Sequence, residues 1–219
     1  MAIILCLETA TTNCSVAIAI DGEIKAIREE NKQKFSHAEK LHVFIDEVLK
    51  EAKIDKKQLN AVAVSKGPGS YTGLRIGVSA AKGLCFALDI PLISTLTLEV
   101  LAQQVKCEDC YIIPLLDARR MEVYSAVFNS EKKQIRETRA EILDENSFLE
   151  YLEARKTIFI GDGSNKFEAL CNHKNAVFHK NGVPSAADMV LMAEAKYKIS
   201  DTENVAYFEP FYLKEFMLG

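Results

Sequence analysis

The sequence predicts an α/β protein built from two similar units in tandem, each a mixed sheet flanked by helices. Three strand-like segments open the chain, and Asp21-Gly22 between the second and the third is a strong hairpin signal. Helix-like and strand-like segments alternate after them. Because the same order recurs beyond about residue 105, we predict a first domain at residues 1–106 and a second, smaller domain at residues 107–219.

Apolar runs and turn signals define the elements of the first half. Ile3–Glu8 is an almost continuous apolar run, which is typical of a buried strand. Ser36 is followed three residues later by Glu39, the spelling of a capping box, which predicts a helix from there to Ala52. Further strands are predicted at 14–20, 23–28, 61–65 and 91–94, and further helices at 72–88 and 96–105.

The second half contains the same kinds of segment. Its opening, Leu116-Asp117-Ala118, aligns loosely with Leu7-Glu8-Thr9, which supports a duplication. Pro184 and the Ser185-x-x-Asp188 cap predict a final helix that reaches about residue 199. The other elements are strands at 111–117, 122–128, 134–142, 157–160 and 175–178 and helices at 144–154 and 165–171.

The charge balance argues against a protein that holds nucleic acid by its own electric field. The net charge is −4, whereas affinity for phosphates comes from clustered lysine and arginine. The chain reaches Glu8 without a basic region, and no apolar run approaches membrane-spanning length, so we expect no signal peptide and a cytoplasmic protein.

In that compartment the six cysteines are expected to be reduced thiols. Cys107-Glu-Asp-Cys110 is the only C-x-x-C sequence. A zinc site would need two further ligands at motif spacing, and none is apparent, so we predict no metal site.

The stretch from Lys66 to Gly77 reads as a strand, a loop and the start of a helix. Such a junction directs backbone N–H groups outward, as phosphate loops do, but the stretch does not match the sequence motif of a known nucleotide-binding loop. A phosphate site and a structural turn both remain open. The role of Glu8 is also undecided, since its side chain could face a ligand or anchor its own loop. The candidate nucleotide contacts are Glu8, Lys66, Gly67, Gly69 and Ser70.

Small residues form a stripe along the helix that follows the loop. Gly73, Gly77, Ala81 and Cys85 recur every four residues, and they let another backbone come close. Glycine inside a helix costs about 1 kcal/mol of helix stability relative to alanine, so we expect the close approach to provide a compensating stabilisation. The stripe packs either on the protein's own sheet or helix, or in a subunit interface.

No catalytic residue is predicted. His37 and His42 are five residues apart, whereas a metal pair on one helix face needs a spacing of four, and both are expected on the helix surface. Ser70 and Ser164 lack the Gly-x-Ser-x-Gly context of a hydrolase nucleophile.

Five stretches carry a resemblance to a known family. They are Leu7-Glu8-Thr9-Ala10-Thr11, His37-Ala38-Glu39-Lys40-Leu41, Lys66 to Gly77, Asp117-Ala118-Arg119-x-x-Glu122-Val123-Tyr124 and Pro210-x-Tyr212-Leu213. On these stretches the chain resembles the actin, sugar kinase and heat-shock ATPase (ASKHA) superfamily and, within it, the glycoprotease-like TsaB (YeaZ) family. The resemblance implies two ribonuclease H-like units.

The resemblance also implies a function and partners. TsaB proteins are non-catalytic partners of TsaD, which places a threonylcarbamoyl group on N6 of an adenosine beside the anticodon of tRNA. It implies a heterodimer with a TsaD-like subunit, a further TsaE-like ATPase subunit, a homodimer when alone, contact with tRNA only through the complex, and no cofactor. Catalytic paralogues carry a metal-binding His-x-x-x-His and an Asp-Glu pair, and these positions fall here on Thr97, Leu101, Thr12 and Asn13.

Within this interpretation the two long helices of the first domain supply the partner surface. Two rivals stay open, a metal-dependent peptidase and a small-molecule kinase, although Glu8-Thr9-Ala10-Thr11 lacks the glycine of the kinase phosphate loop. The predicted partner-binding residues are Leu41, Ile45, Leu49, Gly73, Leu74, Gly77 and Ala81.

Overall fold

The computed structural model describes residues 1–32 and 37–214. The strands are β1 (Ile3–Glu8), β2 (Asn13–Ile20), β3 (Glu23–Asn31), β4 (Ala61–Gly67), β5 (Leu92–Leu96), β6 (Tyr111–Asp117), β7 (Glu122–Asn129), β8 (Gln134–Ile142), β9 (Thr157–Ile160) and β10 (Ala176–His179). The α-helices are α1 (His37–Ala52), α2 (Tyr71–Leu88), α3 (Thr97–Ala102), α4 (Leu149–Ala154), α5 (Ser164–Glu168) and α6 (Ala186–Lys198).

The two sheets confirm the predicted α/β fold with a repeated unit. The strand orders are β3-β2-β1-β4-β5 and β10-β9-β6-β7-β8, which are the same order read from opposite edges. In each sheet three strands form an antiparallel meander, and the first of them pairs in parallel with a strand that follows later in the chain. Each sheet is therefore mixed, as predicted.

The division into units differs from the predicted boundary after residue 106. One unit comprises Met1–Thr97 together with Pro184–Gly219, and the other comprises Leu98–Val183. The final helix is the reason, because the amide of Asn13 donates to Pro184 O at 3.0 Å and the N–H of Ala186 donates to Ser15 Oγ at 3.1 Å. Apolar periodicity marks a helix as packed, but it does not say against which sheet.

The core of the first unit lies between its sheet and the helices α1 and α2. All six residues of β1 are buried, which confirms the predicted buried strand. From β1, Leu5 and Leu7 enter the same apolar cluster as Leu41 and Val48 of α1 and Val78 of α2. The predicted capping box of α1 falls on Ser36, which lies outside the described residues.

In the second unit the predicted strands are all present, but its helices are shorter than predicted. The segment predicted as a helix at 144–154 becomes helical only at Leu149, because Asp144 Oδ1 accepts from Asn146 N and Phe148 before the helix has a φ of 62°. Local side-chain hydrogen bonds of this kind compete with the helix.

One pair of cysteines differs from the expectation that all six are reduced thiols. Cys107 and Cys110 form a disulfide, so the expectation is wrong for this pair, whose spacing of three residues brings the two sulfur atoms together. The four remaining cysteines are free. Within the part of the chain that the structure describes, no helix combines the length and the hydropathy that crossing a membrane requires.

Candidate functional site

Glu8 ends β1 and anchors its own loop. Its side chain is fully buried, and its Oε1 accepts from Ala10 N at 2.7 Å. Burial raises the pKa of Glu8 to about 7, although hydrogen bonds from Ala10 and Ser65 act to lower it. Of the two roles left open by the sequence, these contacts favour the loop anchor.

The loop between β4 and α2 also binds to its own chain. Ser70 N donates to Ala10 O at 2.7 Å, and a Cβ atom on Gly69 would lie only 2.3 Å from the same oxygen. Lys66 Nζ lies 3.5 Å from Glu203 Oε1. These are the contacts of a structural turn. Nucleotide binding by Glu8, Lys66, Gly67, Gly69 and Ser70 stays a prediction that the contacts do not support.

The small-residue stripe of α2 packs against the first loop of the chain. Thr9 Oγ1 donates to Gly73 O at 2.8 Å. A Cβ atom would lie 2.1 Å from Thr9 O if built on Gly73, and 2.2 Å from Thr9 Oγ1 if built on Gly77. The two glycines are required by packing within the chain, so this part of the stripe needs no subunit interface to explain it.

The predicted partner-binding residues are buried within the chain, and partner binding by them stays a prediction. The five that carry a side chain larger than hydrogen are at most 4% exposed, and the two glycines are buried as well. Apolar periodicity identifies the face of a helix that avoids water, and here that face meets the protein's own sheet. The seven buried residues are Leu41, Ile45, Leu49, Gly73, Leu74, Gly77 and Ala81.

A groove of about 710 Å³ lies on the outer side of α1 and α2. We call it the α1–α2 groove; its lining includes Ala38 and His42 of α1 and Arg75, Ile76, Ser79 and Gly83 of α2. The same two helices carry exposed apolar side chains outside this lining, since Phe86 of α2 is 85% exposed and Val43 of α1 is 48% exposed.

Gly83 distinguishes this groove from an ordinary helix surface. Apart from its chain neighbours and the backbone of its own helix, no described atom lies within 4 Å of the position that its Cβ would take. A glycine inside a helix costs about 1 kcal/mol relative to alanine, and unlike Gly73 and Gly77 this one is not required by packing within the chain. Sequence reasoning missed Gly83, and the signal available was that it falls outside the four-residue stripe.

Three side chains form a cluster at the Arg75 part of the groove. The guanidinium carbon of Arg75 lies 4.1 Å from the centre of the Tyr71 ring, and Arg75 Nε donates to Tyr212 Oη at 3.2 Å. The rings of Tyr71 and Tyr212 are 5.0 Å apart between centres. Tyr212 belongs to residues 203–212, which we call the C-terminal strap.

The strap is hydrogen-bonded along its length to the rest of the first unit. Glu203 N donates to Leu92 O at 2.8 Å, and Phe211 N donates to Lys66 O at 2.7 Å. Between these points Lys82 Nζ of α2 donates to Phe208 O at 2.9 Å and to Ala206 O at 3.2 Å. The strap thereby fixes the position of Tyr212 beside α2.

Two other candidate residues, His37 and Thr97, are buried and contact their own chain. His37 is buried and its Nε2 contacts Thr11 O at 2.7 Å, which corrects its predicted place on the helix surface, and burial lowers its pKa. Thr97 Oγ1 lies 2.7 Å from Ser65 Oγ. Among the residues that the structure describes, no group of three His, Cys, Asp or Glu side chains is placed to hold a metal ion.

Asp117, at the position that aligns with Glu8, behaves differently from it. Asp117 is exposed and forms an ion pair with Lys166 at 2.7 Å, and its N–H donates to Asp162 Oδ1 at 2.9 Å. Burial raises the pKa of Asp162. The aligned acids therefore share a place in the repeat but not an environment.

Solved structures share the fold of this chain. A Pseudomonas aeruginosa protein described as similar to the peptidase YeaZ has a TM-score of 0.84 at 25% identity, over 98% of this chain and 100% of its own. The ADPNP-bound activator of the 2-hydroxyisocaproyl-CoA dehydratase from Clostridium difficile has a TM-score of 0.52 at 11% identity, over 92% of this chain and 98% of its own, and shows the fold alone.

Sequence comparison defines the family more closely. The family model for TsaD, described as tRNA N6-adenosine threonylcarbamoyltransferase, matches residues 30–215. The tRNA threonylcarbamoyladenosine biosynthesis protein TsaB of Haemophilus influenzae is 30% identical over 96% of this chain and 93% of its own length. A tRNA N6-adenosine threonylcarbamoyltransferase of Bacillus thuringiensis is 37% identical over 106 residues, 42% of this chain and 31% of its own. The chain therefore belongs to the TsaB family of tRNA threonylcarbamoyladenosine biosynthesis proteins, within the wider family that the TsaD model describes.

Proposed function

We propose that this protein is a non-catalytic subunit for N6-threonylcarbamoylation of tRNA adenosine, and that it binds and activates a TsaD-like catalytic subunit through the α1–α2 groove. Gly83 is the observation that carries the proposal. Its open surroundings give α2 a place where another backbone can come close, at a cost in helix stability that nothing within the chain repays.

The lining of the groove suits a partner helix. Ser79, Ala80 and Gly83 are small, whereas Ile76 and Leu84 are apolar and only partly buried. Phe86 adds an almost fully exposed aromatic ring on the same helix. A helix that covers these residues would remove apolar surface from water, which is the main favourable contribution to most protein association.

A TsaD-like subunit is a suitable occupant because it is related to this chain. The Bacillus thuringiensis transferase shares 37% identity over 106 residues, so such a partner contains related elements and could offer a matching helix pair. Without it, the same surface would pair with a second copy around a twofold axis, the commonest arrangement of homo-oligomers. A stable interface of either kind buries about 1,200–2,000 Å² in total.

In this mechanism the catalytic subunit holds the threonylcarbamoyl donor and the acceptor adenosine, and this chain stabilises its competent conformation. A TsaE-like ATPase would join the same complex. Contact with tRNA would come through the other subunits, in keeping with the net charge of −4.

Reconstitution tests the proposal. Threonylcarbamoyl transfer to tRNA is measured with the TsaD-like subunit and the donor-forming enzyme, with and without this protein. We expect transfer to require it, and Gly83→Gln, which places a long side chain in the groove, to abolish both binding and stimulation. Leu191→Gln on α6, also at an exposed site, is the matched control. Transfer that is indifferent to the protein, or peptide or ATP hydrolysis by the isolated chain, would overturn the proposal.

A further inference from the structure

We propose that Arg75 is the polar anchor of the α1–α2 groove and that it receives a carboxylate side chain from the catalytic subunit. This inference rests on the function proposed above and names the chemistry by which the groove recognises its partner.

Two tyrosines hold the arginine in place, since Tyr71 stacks against its guanidinium and Tyr212 accepts from its Nε. The hydrogen bond to Tyr212 and the more distant charge of Glu209 raise the pKa of Arg75, but among the described residues no carboxylate lies within ion-pair distance of it. The first unit's other arginine, Arg28, is paired with both Glu47 and Glu51 of α1. The terminal nitrogens of Arg75 are thus left with donor capacity at an exposed site.

The two tyrosines reduce the cost of using this donor capacity. An arginine side chain loses considerable rotamer freedom when an interface forms, and Arg75 has already lost part of it to Tyr71 and Tyr212. Because Tyr212 lies on the C-terminal strap, the chain uses a segment distant in sequence to orient a groove residue. This arrangement is that of a preorganised binding group.

A carboxylate is the group that fits best. The planar guanidinium offers parallel N–H donors that match the two oxygens of a carboxylate, and the pair strengthens when the interface excludes water. Nucleic acid is disfavoured, because a phosphate backbone needs clustered cations and Arg75 is the only lysine or arginine that lines the groove among the described residues. The neighbouring apolar and small residues point to an acidic residue on a helix of the protein partner.

The test measures the affinity of the TsaD-like subunit for the full-length protein at low and at moderate salt. We expect Arg75→Gln to weaken binding about tenfold or more and to remove much of its salt dependence. Two milder variants are expected to cause smaller losses of affinity. Arg75→Lys keeps the charge but lacks the parallel N–H donors of the guanidinium, and Tyr212→Phe lacks the hydroxyl that accepts from Arg75 Nε. Arg28→Gln, which loses a pair on the far side of α1, is the control, and the thermal midpoint shows that each variant folds.

Several outcomes separate this inference from the proposed function. If Gly83→Gln prevents binding but Arg75→Gln binds as tightly as the wild type, the proposed role of Arg75 is wrong, whereas partner binding at the α1–α2 groove is supported. If neither variant affects binding, the groove itself is wrong. If Arg75→Gln alters only self-association, the carboxylate belongs to a second copy and the inference is overturned. If Arg75→Glu is rescued by an acidic residue changed to arginine on the partner, the pair is identified.

Discussion

Thr9 Oγ1 occupies the space beside Gly77 so closely that a Cβ atom there would lie 2.2 Å away. The same hydroxyl donates to Gly73 O at 2.8 Å, so one side chain of the first loop fixes the N-terminal half of α2. The glycines of the central motif thus act within the fold, and the free face of α2 is left for contacts with other molecules.

Two alanine substitutions on α2 are expected to have opposite effects. Gly77→Ala forces a methyl group against Thr9 and should lower the free energy of unfolding by about 1–3 kcal/mol. Gly83→Ala meets no described atom beyond its own helix and should raise it by about 0.5–1 kcal/mol through the better helix propensity of alanine. Urea unfolding of both variants measures the difference. Equal stabilities would mean that α2 does not approach Thr9 as described.

Glu8 is expected to make stability depend on pH. Its pKa is about 7 in the folded state and about 4.5 when exposed, so the folded protein binds this proton more tightly. Stability from the neutral carboxyl is complete below pH 4.5 and is lost as the pH rises through 7. Glu8→Gln keeps the acceptor for Ala10 N, so it should stabilise the protein at pH 8, by at most about 3 kcal/mol, and change little near pH 4.5. A variant no more stable than the wild type at pH 8 would show that Glu8 ionises there without a penalty.

Lys82 is expected to hold the C-terminal strap on α2. Lys82→Met removes the donor to Phe208 O and Ala206 O while keeping most of the aliphatic stem. A loss of about 1 kcal/mol should speed local opening about fivefold. Hydrogen exchange at the amide of Phe211, which donates to Lys66 O, reports this opening. Lys50→Met on α1 is the control. An unchanged exchange rate at Phe211 in Lys82→Met would mean that contacts other than those of Lys82 hold the strap in place.

The disulfide is expected to contribute modestly to stability. Cys107 and Cys110 close a loop of only a few residues, for which chain entropy predicts about 2 kcal/mol. Oxidised protein, unfolded without reductant, should show four reactive thiols, and six after reduction. Cys107→Ser should unfold at a lower urea concentration than the oxidised wild type and at about the same concentration as the reduced protein. Six reactive thiols in the oxidised sample would exclude the bond.

Local patterns predicted the elements well where they are long and periodic. The apolar run of β1, the Asp21-Gly22 hairpin and the glycine-containing helix α2 all lie within a few residues of their predicted bounds. The prediction that the helix begins at residue 144 was wrong. Asp144 accepts a hydrogen bond from the backbone N–H of Asn146, and apolar periodicity does not reveal such a local bond.

Periodicity and motifs along the chain are enough to predict the repeated α/β fold, the family and the long helices. Which face of each helix is free depends on contacts between segments that are distant in sequence. Leu41 and Gly77 have the pattern expected of a contact surface, yet they are buried against the chain's own sheet and first loop. Arg75 gained its place beside Tyr212 from a contact across 137 residues of sequence, and no local pattern contains such a contact.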